Sequence, residues 1–115
     1  MPGGISIHAV DVANGRPAQG LAVEIARTDG TRRVIGSGTL NAHGGLDHPV
    51  ARGEGVEAGA YEVLVQVGDY LRSQGSEYAG FLEQIVFRFV IADPDEHFHL
   101  PLKFTAWGYS LFRGS

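Results

Sequence analysis

Cysteine is absent from the 115 residues, which excludes disulfides, thiolate nucleophiles and cysteine-ligated metal and leaves the redox compartment unread. Long apolar runs are missing too. Nowhere do about 18 apolar residues follow one another, and the opening MPGGISIHAV has neither a charged n-region nor a long apolar h-region. Neither a membrane span nor a secretory signal is expected, and a cytoplasmic location is. Positive charge is sparse: nine Lys and Arg stand against thirteen Asp and Glu, for a net charge of −4, and the longest basic run is Arg32-Arg33. That lacks the electrostatic footprint of a nucleic-acid binder. The phosphate-cradling patterns GxGxxG and GxxxxGK and the nucleophile elbow GxSxG do not occur either.

What is present is the composition of a globular protein, 43% hydrophobic and 19% charged, in a length that suits one domain over residues 1–115. Seventeen glycines and five prolines cut the chain into short segments, and most of these alternate apolar and polar residues at period two, the mark of half-buried strands. Strands are predicted at 5–10, 21–27, 31–40, 60–67, 84–92, 96–105 and 107–113, with a further short strand entered from the loop NAHGGLDHP. The stretch GDYLRSQG, 68–75, is the one good helix candidate. About eight short strands with regular turn signals predict an all-β, two-sheet sandwich with one short helix.

Five histidines, at 8, 43, 48, 97 and 99, form the richest titratable set, and histidine alone titrates near neutrality without environmental help. On the strand EHFHLPLKFT, His97, His99, Pro101 and Lys103 share one parity and Phe98, Leu100, Leu102 and Phe104 the other. The apolar set belongs to the core, so the histidines face outward. His8 shares the outward parity of the first strand with Ser6 and Val10. Outward histidines on a strand are most often simply solvated. A three-histidine metal site including His8 is a second reading, but H-x-H with no completing Asp or Cys spacing carries little weight, and no metal or cofactor is assigned.

Longer stretches resemble a known family along nearly the whole chain: ISIHAVDVANGRPAQGLAVEIAR, GTLNAHGGLD, AGAYEVLVQVGDYLRSQG and DPDEHFHLPLKFTAWGYSLFRGS resemble the transthyretin-like 5-hydroxyisourate hydrolases. The closing LFRGS after a His-x-Pro-Leu strand is the most specific part. The resemblance implies a transthyretin (prealbumin) sandwich, a homotetramer with its pocket at the dimer–dimer interface, and metal-independent opening of a ring amide of a small-molecule substrate. It also implies that His8 and His99 are catalytic, and that Arg113 and Ser115 close the pocket.

Three positions depart from the family pattern. Glycine stands at Gly45 where the family loop carries arginine, Phe112 replaces the family's tyrosine, and Lys103 replaces an aliphatic residue. Lys103 is placed to return a positive charge to the pocket, although an ammonium is a point charge and not a bidentate fork. His43 and His48, in and just beyond the same loop, are candidates for the pocket rim. Three functions fit: a hydroxyisourate hydrolase, a family member turned to another cyclic, carbonyl-rich small molecule, and a non-catalytic binder of a channel ligand. Two retained proton-transfer groups argue against the third.

Overall fold

The computed structural model describes residues 3–114. Two four-stranded sheets face each other. One has the order β2-β1-β7-β8, built from β1 (Gly4–Asp11), β2 (Arg16–Pro17), β7 (His97–Phe104) and β8 (Tyr109–Leu111). The other has the order β4-β3-β5-β6, built from β3 (Ala22–Arg27), β4 (Arg33–Thr39), β5 (Gly59–Val65) and β6 (Ile85–Ile91). The two-sheet sandwich and the eight strands agree with the alternation in the sequence, and the helix α1 (Val67–Ser73) lies one residue ahead of its predicted start.

One strand is placed differently. The segment after NAHGGLDHP forms a 3₁₀ turn, Pro49–Arg52, and the eighth strand is instead β2, inside what reads as a turn. Proline at the first position of the 3₁₀ turn has no N–H to lose, His48 Nδ1 accepts from Val50 N–H at 3.0 Å, and Gly53 ends the turn at φ +101°. These contacts favour a helical turn over a strand.

The core lies between the sheets. Ile5, Ile7 and Ala9 of β1 and Phe98, Leu100, Leu102 and Phe104 of β7 are buried against Val23 and Ile25 of β3 and Tyr61, Val63 and Val65 of β5. Each of the Val, Leu, Ile and Phe side chains contributes about 1.5–3 kcal/mol on burial. The two strands that carry the histidines run parallel to each other, whereas the other named strand pairs are antiparallel. Their register sets Ser6 opposite His99, His8 opposite Pro101 and Val10 opposite Lys103. With seven core side chains pointing inward, strand alternation turns these six residues and His97 to the outer surface of the sheet. Helix α1 buries Val67, Tyr70 and Leu71, spaced i, i+3, i+4, and Tyr70 Oη donates to Asp11 Oδ2 at 2.9 Å at the end of β1. Among the described residues no helix is long and apolar enough to cross a membrane.

Candidate active site

Three polar side chains meet on the outer face. Ser6 Oγ lies 2.8 Å from His97 Nε2 and 2.8 Å from His99 Nδ1, and His97 Nδ1 donates to the carbonyl of Gly3 at 3.0 Å. Gly3 must be glycine for that approach, since a Cβ there would stand 1.9 Å from Glu96 O. His99 is half-buried and His97 exposed. Burial first, then the neighbouring His8 and His97, lowers the pKa of His99 below the usual imidazole value. His99 Nε2 is left without a hydrogen-bond partner among the described residues.

His8 sits one diagonal step away, about 8 Å by strand spacing and rise. Its orientation comes from the loop that follows β4. Asn41 Oδ1 accepts from His43 N and Gly45 N, which folds residues 41–45 into a tight turn over β1. His8 Nε2 then donates to His43 O at 2.7 Å, and His8 and Gly45 form an isolated antiparallel bridge. Gly44, at φ +85°, passes so close that a Cβ would lie 3.2 Å from His8 Nε2 and 2.7 Å from Ala9 O. Gly45 is different: a Cβ there meets nothing nearer than 3.9 Å. A Cβ at Gly45, in the bridge to His8, would make only ordinary van der Waals contact.

The segment after β8 supports His99 from the other side. Lys103 pairs with Ser110 in the β7–β8 ladder, which ends at Leu102 opposite Leu111. Pro101 has no N–H to offer a partner at residue 112, and pairing resumes only where Gly114 N donates to His99 O at 2.7 Å. Gly114 packs against the ring: a Cβ would lie 3.4 Å from His99 Cδ2 and 3.2 Å from Pro101. Arg113 turns elsewhere. Its Nη2 donates to Glu96 Oε1 at 2.8 Å and to His97 O at 3.2 Å, and its guanidinium lies 4.3 Å from the centroid of the Phe98 ring.

The structure therefore gathers His8, His97, His99 and Lys103 on one face, and exposed Phe112 follows the end of the β7–β8 ladder. His43 contributes its carbonyl to His8 and leaves its side chain exposed. His48 is not brought to this face: it caps the 3₁₀ turn and packs beside Gly36 of β4 in the opposite sheet. Arg113 is occupied with Glu96, and Ser115 lies outside the described residues. Among the described residues no three of His, Asp and Glu converge as metal ligands. From the sequence His97 reads only as an outward or metal-binding histidine and Ser6 only as an outward residue, with no contact between them. Their shared outward parity with His8 and His99 was legible, but the contact depends on a parallel register that no local signal encodes. Lys103 makes no ion pair within 4 Å among the described residues. The outer-face positions of β1 and β7 carry no carboxylate, so the face favours an electron-rich ligand.

The HIUase/Transthyretin family model matches residues 5–114. The chain belongs to that family. Among its relatives, "5-hydroxyisourate hydrolase 2" of Rhizobium meliloti (strain 1021) is 41% identical over 116 aligned residues, spanning 98% of this chain and 97% of the relative. The crystal structure of an (S)-allantoin synthase superposes with a TM-score of 0.85 at 30% identity, over 99% of this chain and 44% of that longer one. The crystal structure of sea bream transthyretin in complex with thyroxine superposes at 0.83 with 25% identity, over 96% and 93% of the two chains. The sandwich is thus a transthyretin-type fold, and the family match spans both histidine-bearing strands.

Proposed function

We propose that this HIUase/Transthyretin family member is a hydrolase that opens a cyclic amide of 5-hydroxyisourate. The observation that carries the reading is the meeting of His8 and His99 on one open face, in a chain 41% identical to a hydroxyisourate hydrolase across both lengths. A water attacks the ring carbonyl while His99 Nε2 takes its proton; the carbon–nitrogen bond then breaks and the leaving nitrogen is protonated. No metal is assigned to the step. His8, anchored through Nε2–H, presents Nδ1 as its remaining nitrogen. Lys103 supplies positive charge near the developing oxyanion. Arg113 holds the segment that packs Gly114 on His99, and Ser115 is assigned to the pocket through the resemblance of the closing residues. A cavity of about 470 Å³ elsewhere in the chain, lined by residues such as Asp11, Leu71, Tyr78 and Trp107, contains none of these groups. The histidine face is open in a single chain, which supports a pocket closed by a second copy at the dimer–dimer interface of a homotetramer; a cytoplasmic location belongs to the same reading.

A second reading is favoured by Gly45 and Phe112. The lack of a side chain at Gly45 and of a phenolic hydroxyl at Phe112 fits a family member that applies the same histidines to a different cyclic, carbonyl-rich small molecule. One assay separates the two. Hydroxyisourate is generated in situ from urate with urate oxidase, and its loss is followed by absorbance with and without this protein. The hydrolase reading expects a large acceleration over the spontaneous rate, and Gly45→Arg, whose Cβ makes only ordinary contact, raises kcat/KM further by about tenfold. A spontaneous rate in both proteins overturns it in favour of the second reading.

A further inference from the structure

The hydrogen-bond chain behind His99 has a direction, and the direction follows from its end. A carbonyl oxygen only accepts, so the contact to Gly3 O fixes a proton on His97 Nδ1. In a neutral His97, Nε2 is then a lone-pair nitrogen, and Ser6 must donate to it. A hydroxyl has one hydrogen. Toward His99, therefore, Ser6 Oγ accepts, and the proton lies on His99 Nδ1. Its Nε2 is left bare, the form a general base requires.

The same wiring inverts when His97 is protonated. Both of its nitrogens then donate, Ser6 accepts from His97 and donates to His99 Nδ1, and the proton of a neutral His99 must lie on Nε2. The two states of His97 thus correspond to the basic and the acidic forms of His99.

We propose that Ser6 and His97 are positioning residues that set the tautomer of His99 and take up its proton during turnover. The proposal rests on the reading of His99 as the general base. As Nε2 removes a proton from water, the Nδ1 proton passes to Ser6 Oγ and the Ser6 proton to His97 Nε2. One proton enters the chain and one positive charge appears, on exposed His97 rather than on half-buried His99. His99, neutral and carrying Nε2–H, then protonates the leaving nitrogen, and the two inner protons return. The lowered pKa of His99, which its burial causes first and His97 and His8 deepen, accords with moving the charge outward.

The test reads the tautomer directly, by long-range ¹H–¹⁵N correlation spectra of ring-labelled histidine at a pH where His99 is neutral. Wild type is expected to show His99 as the Nδ1–H form. Ser6→Ala shifts the population toward Nε2–H and lowers kcat at least about tenfold with little change in KM, and Ser6→Thr, which keeps the hydroxyl, restores both. His97→Leu, at an exposed position, frees the Ser6 proton to face His99 and moves the tautomer the same way, so the test survives if Ser6→Ala fails to fold. An Nε2–H wild type, or a tautomer unmoved in both variants, overturns the proposal. Failure of the hydrolase reading looks different: the expected tautomers with no turnover of hydroxyisourate by wild type.

Discussion

His99 owes its properties to three neighbours that differ in kind. Gly114 packs on its ring without a side chain, Ser6 fixes one nitrogen, and the surrounding sheet removes water. Burial disfavours the imidazolium, and the nearby His8 and His97 deepen that effect, so the folded-state pKa falls below the ordinary value of about 6.5. Two consequences have definite signs. A base must be neutral to act, so the acid limb of kcat/KM should turn over below about 6.5, and a limb centred above that value would remove His99 as the base. Between the folded and unfolded pKa values the unfolded chain binds more protons, so stability should decline as pH falls through about 6.5 toward the folded value. Melting temperatures from pH 7.5 to pH 5, compared between wild type and His99→Gln, check this: wild type should lose more on acidification. Much of this residue-scale chemistry was legible in the sequence, because alternation alone turned His97, His99 and Lys103 outward from four apolar neighbours. The occupations of His48 and Arg113 were not. Both depend on partners, Val50 N–H and Glu96, whose placement is decided by tertiary contacts.

The elements place these residues by interrupting their own regularity. Pro101 opens the ladder between β7 and the segment after β8, so residues 112 and 113 lie outside it before Gly114 N–H returns to His99 O. The 3₁₀ turn at Pro49–Arg52 braces the other end of β1, where Gly4, at φ +110°, approaches so closely that a Cβ would lie 2.3 Å from Ala51 O. From sequence this segment reads as a strand because its loop is rich in turn residues followed by Val; the proline and the capping histidine decide otherwise. Helix α1 anchors the opposite end of β1 through Tyr70, whose ring meets Phe104 edge-on at 5.5 Å and whose hydroxyl donates to buried Asp11. Removing that donor leaves the carboxylate with Asn14 as its hydrogen-bond partner. Tyr70→Phe should therefore lower stability by about 1–2 kcal/mol in denaturant titration while leaving kcat/KM within about twofold. A loss of activity without loss of stability would show that α1 reaches the site by a route other than β1.

At the scale of the whole molecule, the two sheets account for the core and leave the histidine face bare. The sandwich was legible because strand period and turn spacing are local properties. Strand order was not, since the parallel pairing of β1 with β7 joins segments that carry no mutual signal in sequence. A face that turns four titratable nitrogen-bearing side chains outward, two of them, His97 and Lys103, exposed, suits enclosure by another copy. Native mass spectrometry should find four chains per particle, and turnover per chain should fall on dilution once the particle dissociates. A fully active monomer would place the pocket within one chain. The pairing of β1 with β7 also has a meaning in time. Ser6 and His99 are 93 residues apart, and contacts of such separation form late because a long loop must close first. A chain emerging during synthesis can therefore assemble much of the β4-β3-β5-β6 sheet while its histidine-bearing face does not yet exist. Onset of turnover in a refolding experiment would then serve as a clock for the last long-range pairing, and an incomplete or misassembled chain would be chemically silent.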